Sequence, residues 1–154
     1  NKRMGSTPDS TVTGLTGTAH VAFAFRGVDP DTIFDVTTPT AVSGTIGMPD
    51  VPGISGSTTV SGCVIVGIGF LDDDAITPTA SKGTLIAYAN NTNTIMAAYL
   101  TQAMAGMIYS TPEFSGSGSD DWVACAFVLR RYIVYGSYKS AAIWSLEDVY
   151  KSKI

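Results

Sequence analysis

The chain has 154 residues, enough for one domain with its own core, and only 14% of them are charged. Its 19 Thr, 15 Ser and 16 Gly residues supply much of the polar surface that charged residues supply in most proteins. With a net charge of −4, this composition excludes a coiled coil, a disordered acidic tail and a basic nucleic-acid-binding protein, and it indicates an all-β fold.

The first half of the chain carries short strand patterns separated by turn residues. Apolar residues alternate weakly over residues 10–15 and clearly over residues 20–26, where Val21, Phe23 and Phe25 share one face. Residues 30–59 are rich in Thr, Pro and Gly, and we predict two short strands within them, at residues 32–36 and 57–60.

The second half carries stronger strand patterns. Residues 64–70 predict a buried strand, and residues 84–89 and 94–102 predict a hairpin around the Asn-rich turn Asn90–Asn93. Residues 113–121 are typical of a flexible loop. Residues 122–130 are apolar at almost every position, which predicts a central strand covered on both faces. Together the patterns predict an antiparallel β-sandwich, jelly-roll-like in its strand spacing.

The last residues differ from the body. Residues 131–138 are typical of one more strand or of an extended arm, and Ser145 opens a short helix of the capping-box type. We therefore predict a sandwich domain over residues 1–130, whose abrupt start suggests missing first strands, and a C-terminal arm with a short helix over residues 131–154. The candidate interface residues are aromatic or apolar: Tyr132, Tyr135, Tyr138, Trp144, Leu146, Val149 and Tyr150. They either dock the chain on a partner or cover its own sandwich.

Charge is distributed unevenly along the chain. Residues 1–26 carry +2, residues 27–129 carry ten acids against Lys82, and residues 130–154 carry five bases against two acids, a balance of +3. Either both basic ends are solvated, or the basic end of one copy lies on the acidic body of its neighbour.

Residues that could support catalysis are few. His20 is the single histidine, and a Ser/His/Asp triad would have to use it. Cys63 and Cys125 each lie within an apolar run, which predicts free thiols packed as small hydrophobic groups. We expect no catalytic site, no metal site and no cofactor, so the chain is not predicted to be an enzyme. No run of apolar residues is long enough to cross a membrane, and no membrane partner is expected.

Acidic residues form three local groups, at residues 72–74, at Asp29, Asp31 and Asp35, and at residues 120–121. Oxygen ligands at loop ends suit Ca²⁺, but none of the groups has the spacing of a calcium-binding hand. We expect millimolar Ca²⁺ to give no increase in melting temperature; a clear increase would favour a calcium-dependent binding module.

Five segments together carry a family resemblance. They are Ala-Phe-Arg-Gly-Val-Asp at residues 24–29, Leu-Asp-Asp-Asp-Ala-Ile-Thr-Pro at 71–78, Ala-Asn-Asn-Thr-Asn-Thr at 89–94, Gly-Ser-Asp-Asp-Trp-Val-Ala at 118–124, and Ile-Trp-Ser-Leu-Glu-Asp-Val-Tyr at 143–150. This series resembles a β-sandwich domain of structural proteins from tailed bacteriophages and prophages.

The resemblance implies an architectural role. A chain of this kind would decorate a capsid or form part of a tail, collar or fibre, in contact with other virion proteins and with copies of itself. It would be made in the bacterial cytoplasm and end in the extracellular particle. The alternative is a carbohydrate- or receptor-binding sandwich on a phage fibre, which would bind a host-surface glycan through the loops at 71–78, 90–94 and 113–121.

Overall fold

A computed structural model describes Val21, residues 23–72 and residues 75–133, without the side chains of residues 37–40. The strand predicted at residues 10–15, His20 and the C-terminal helix lie outside the described residues. So do six of the seven candidate interface residues, Tyr132 being the exception.

The described residues form an all-β structure, as the composition and patterns predicted. No helix occurs among them, and no helix there could span a membrane. The nine strands are β1 (Phe34–Gly44), β2 (Ser57–Thr58), β3 (Cys63–Leu71), β4 (Thr79–Lys82), β5 (Thr84–Asn90), β6 (Thr94–Gln102), β7 (Gly106–Met107), β8 (Glu113–Ser115) and β9 (Trp122–Leu129).

Five strands form one antiparallel sheet in the order β1-β9-β3-β6-β5. β3 lies at the centre, and its Val/Ile-rich sequence suits a strand with neighbours on both sides. β5 and β6 form the predicted hairpin, and the turn between them lies at Asn91–Asn93. β9 pairs with β1 on one side and β3 on the other, so its prediction as an internal strand is confirmed.

The first face of this sheet packs against a second layer. Gly67 and Gly69 of β3 lie on this face, and a Cβ atom at Gly69 would come within 2.8 Å of Pro49 and 3.1 Å of Phe114. The glycines therefore let the second layer approach the sheet backbone closely. The remaining four strands form two short antiparallel sheets, one of β2 with β7 and one of β4 with β8.

The core lies between these two layers, and the fold is sandwich-like, as predicted. The buried apolar cluster combines second-layer residues with first-face sheet residues: Val51, Ile54, Val60, Cys63, Ile65, Leu71, Met96, Ala98, Ile108, Phe114, Ala126 and Val128.

Three sequence predictions need correction. Val21 and residues 23–26 are not in a strand. β1 has eleven residues instead of the short strand expected at residues 32–36; it continues through Pro39 because it is an edge strand, where a missing N–H is tolerated. Part of the predicted flexible loop at 113–121 is β8, which pairs with β4 and places Phe114 in the core.

Candidate interaction surface

The second face of the five-stranded sheet is apolar. Side chains alternate along a strand, so Val64, Val66, Ile68 and Phe70 of β3 lie opposite the core face. The register places apolar residues of the neighbouring strands beside them: Ile95, Ala97 and Tyr99 of β6, and Val123, Cys125 and Phe127 of β9. A sheet with water on one side ordinarily carries polar residues there, so this face is suited to contact with another surface.

The segment before β1 covers part of this second face. Gly27 has a φ of 74°, which turns the chain at a conformation that favours glycine. On the N-terminal side of this turn, the Phe25 ring packs edge-on against the Tyr99 ring of β6, with ring centroids 6.2 Å apart. The Phe23 ring packs edge-on against Phe25, with centroids 5.8 Å apart. The chain itself therefore covers the β6 side of the face at Tyr99.

The β9 side of the second face is more open. We call it the open half, defined by Phe34, Ile68, Phe70, Val123, Cys125 and Phe127. Phe34 is 41% exposed and Val123 is 50% exposed, although both are large apolar residues. The rings of Phe34 and Phe127 pack edge-on, with their centroids 5.8 Å apart. The prediction that residues 122–130 are covered on both faces is therefore wrong for this face within the described structure.

A groove of about 380 Å³ adjoins the open half where β1, β3 and β9 meet at one end of the sheet. Phe70, Trp122 and Val123 line the groove together with the acidic residues Asp72 and Asp121. Phe70 and Val123 belong to both features, so the groove and the open half form one continuous surface.

The Trp122 side chain lies on the first face, where it packs against the buried core cluster and the backbone of β1. It lies so close to Gly44 that a Cβ atom there would be 2.5 Å from two ring carbons, and the indole Nε1 donates to the carbonyl oxygen of Ile46 at 3.3 Å. A residue other than glycine at position 44 would displace the ring. The position of the Trp122 ring is consequently fixed by packing.

The three loops proposed for ligand binding meet at this end of the sheet. The Asn93 side-chain amide donates to Asp72 Oδ1 at 2.9 Å, and the Asp72 backbone N–H donates to the carbonyl oxygen of Asp121 at 2.8 Å. Phe114, the aromatic residue that the sequence of these three loops contains, is only 8% exposed and belongs to the core.

A polar network lies at the opposite end of β9. Arg130 contacts Asp29 through Nε at 3.3 Å and Asp35 through Nη1 at 3.2 Å. The Asp35 side chain is fully buried and also accepts hydrogen bonds from the Thr59 backbone N–H and hydroxyl, both at 2.5 Å. Asp29 Oδ1 in turn accepts from two backbone N–H groups of its own turn. These carboxylates therefore have partners within the protein.

The two cysteines are free thiols, as predicted, and they lie on opposite faces of the sheet. Cys63 is buried in the core and donates to the Val60 carbonyl oxygen at 3.2 Å, whereas Cys125 is half-buried in the open half. Burial raises the pKa of both thiols above the ordinary value of 9.0; for Cys63, the nearby Asp35 carboxylate raises the pKa further.

Among the candidate residues from the sequence, Tyr132 is 48% exposed just after β9. The open half was not predicted as an interaction surface. Its signal was present in residues 64–70 and 122–130, where both alternating sets of side chains are apolar, but this pattern was interpreted as double burial. No group of three His, Cys, Asp or Glu residues that could hold a metal ion occurs within the described ranges.

In comparisons with models of known protein families, with curated proteins and with solved structures, nothing matches this chain.

Proposed function

We propose that this chain is a bacteriophage virion structural protein, a capsid decoration protein or a component of the tail, collar or fibre, which acts by protein–protein assembly. The observation that carries the assembly role is the open half of the second face, where Phe34 and Val123 are 41% and 50% exposed among the described residues. Covering such a surface removes apolar area from water and stabilises a complex.

The virion context rests on the sequence resemblance. The structure adds two features that suit a long-lived exterior module, namely dense antiparallel pairing and a polar surface of Thr and Ser. In this proposal the partners are other virion proteins and copies of the same chain, and the chain performs no catalytic step and needs no cofactor.

The test is peptide mass spectrometry of density-purified particles from the source, combined with antibody-gold labelling of the same particles. We expect abundant peptides of this chain and regular labelling of the head or the tail. Absence of the chain from clean particles would overturn the proposal.

The groove favours one alternative, a carbohydrate- or receptor-binding module of a phage fibre. The groove places an aromatic ring, Phe70, beside the acidic residues Asp72 and Asp121. The ring can stack on a sugar, and the carboxylates can accept hydrogen bonds from the sugar hydroxyls. A glycan array would support this alternative if binding to the full chain is lost in Asp121→Asn and kept in Asp31→Asn, a matched change at an exposed acid far from the groove.

A further inference from the structure

We infer that a small polar pocket, formed where β4 ends and β8 begins and by the segment before β8, binds a single neutral sugar ring. The pocket has a volume of about 180 Å³, and five of its seven lining residues carry a charge or a hydroxyl: Lys82, Tyr109, Ser110, Thr111 and Glu113. The inference goes beyond the proposed assembly function and does not depend on it. It also concerns a different place from the groove, since the two share no lining residue.

One wall of the pocket is an ion pair. Lys82 and Glu113 are partners in the β4–β8 ladder, just beyond a shift in its register, and Nζ lies 3.1 Å from Oε1. An ammonium group has three N–H donors and a carboxylate has about four acceptor positions, so the pair can also donate to and accept from a ligand. These are the two charged lining residues, and their charges balance. The pocket therefore favours a neutral ligand over an anion or a cation.

Tyr109 provides an aromatic face beside this ion pair. It lies in the segment between β7 and β8, lines the pocket and is 85% exposed. Folding of the described residues therefore hardly uses the area of this ring. An exposed ring of this kind can stack on the C–H groups of a sugar, and its hydroxyl can donate to or accept from the sugar hydroxyls.

Ser110 contributes a hydroxyl without a hydrogen bond. Its Oγ atom is buried, and it has no partner among the described residues. A buried hydroxyl left unpaired is destabilising, so such a group in a folded protein calls for an explanation. The residue as a whole is only partly buried and lines the pocket, so a rotation about its χ1 bond can turn Oγ towards a ligand. This hydroxyl is the observation that points most directly to a bound polar molecule.

The segment between β7 and β8 that forms the pocket is held on both sides. The Ile108 N–H donates to the Gly56 carbonyl oxygen at 3.1 Å, and the Thr111 hydroxyl donates to the Val51 carbonyl oxygen at 3.3 Å. Gly53, between these two acceptors in sequence, also lines the pocket. A pocket fixed in this way needs little ordering when a ligand binds, which favours affinity.

These features together select a sugar ring. Each sugar hydroxyl both donates and accepts, which matches the mixed donors and acceptors of the pocket, and the C–H face of the ring suits the tyrosine. The volume lies below the range of about 300 to 1,000 Å³ for pockets that hold drug-sized ligands, so the pocket fits one ring rather than several. With so few contacts, we expect a dissociation constant in the millimolar range.

The test is an NMR titration of the full, isotope-labelled chain with glucose, galactose, mannose and N-acetylglucosamine, each added separately. We expect at least one of these sugars to shift the amide signals of residues 108–113. Tyr109→Ala should weaken this binding at least about fivefold, because it removes the stacking surface. Tyr88→Ala changes another exposed tyrosine, in β5, and as the matched control it should bind normally.

Ser110→Ala separates a ligand-binding hydroxyl from a structural one. It removes the unpaired buried group, so we expect the melting temperature of the free protein to rise by about 2 to 4 °C while sugar binding weakens. A lower melting temperature with unchanged sugar binding would show that the hydroxyl has a partner within the protein, and it would contradict the inference. Glucuronate should bind no more tightly than glucose, because the balanced ion pair does not attract its carboxylate.

Two results overturn the inference. One is the absence of any shift at residues 108–113 with all four sugars, and the other is an equal weakening by Tyr109→Ala and Tyr88→Ala. Asp121→Asn should leave this binding unchanged, which separates the pocket from the groove. None of these results bears on the particle analysis, which still decides whether the chain belongs to a virion.

Discussion

Arg130 at the end of β9 contacts Asp35 at the start of β1, with Nη1 and Oδ1 3.2 Å apart although 95 positions separate the residues in sequence. The same guanidinium reaches Asp29 through Nε and donates to the Thr59 hydroxyl at 2.9 Å. One side chain therefore joins the turn before β1, β1 itself and the segment after β2. This end of the sheet is fixed by a polar network, whereas the other end presents the groove.

Arg130→Met should destabilise the fold strongly. It leaves the fully buried Asp35 carboxylate without its cation, a change that typically costs about 3 to 5 kcal/mol. Adding Asp35→Asn should recover part of this loss because the buried group no longer carries a charge. Denaturant unfolding measures the free energies, and Lys82→Met is the control because its exposed ion pair with Glu113 contributes under about 1 kcal/mol. Equal losses from Arg130→Met and Lys82→Met would contradict the prediction.

Gly69→Ala should destabilise the packing of the second layer on the sheet. The added methyl group would lie 2.8 Å from the Pro49 Cβ atom and 3.1 Å from the Phe114 ring, in a well-filled core. Overpacking of this kind typically costs about 1 to 3 kcal/mol in the free energy of unfolding. Gly53→Ala is the matched control, since nothing lies within 4 Å of its Cβ position. Unfolding of both variants at the same denaturant concentration would show that Pro49 and Phe114 do not lie this close to the backbone of Gly69.

Several elements could be predicted from the sequence because their signals are local. The pattern over residues 64–70 indicated β3, and residues 94–102 match β6 at both ends. β1 was largely missed, since its Thr and Pro residues are also common in loops and only its position at the sheet edge accommodates them.

The interaction surface could not be predicted from the same patterns. Periodicity reports that both sets of side chains in β3 and β9 are apolar, but a face covered within the chain and a face left open have the same pattern. The Arg130–Asp35 contact was missed for another reason, because it depends on strand order, which no local pattern determines.

The two thiols should differ in their reaction with iodoacetamide. The thiolate is the nucleophile, and burial raises the pKa of both groups, so alkylation at neutral pH should be slower than for an unfolded cysteine. The rate should rise as the pH passes above the ordinary value of 9.0, with Cys125 reacting before the fully buried Cys63. Peptide mass spectrometry after timed alkylation follows each thiol, and the protein in denaturant is the control. Faster alkylation of native Cys63 would be the contrary result.

Val123→Glu should weaken assembly without unfolding the protein. Val123 is 50% exposed in the open half, so a carboxylate there keeps its hydration in the free protein but loses it when a partner covers the face. We expect at least a tenfold weaker association by sedimentation velocity, in line with the cost of about 1.4 kcal/mol or more for a buried charge. Met104→Glu, an exposed apolar residue between β6 and β7, should leave association unchanged. An equal effect of both changes would indicate a general effect of charge.

Deletion of residues 143–154 should leave the sandwich folded and stop assembly. The buried cluster of the described core draws on residues between Val51 and Val128, all of which the deletion keeps. We expect a cooperative unfolding transition close to that of the full chain, together with monomeric sedimentation. A control deletion of residues 1–9 should keep the association, because it removes none of the arm. Loss of cooperative unfolding in the 143–154 deletion would show instead that the arm belongs to the core, since a domain that loses part of its core loses its two-state transition.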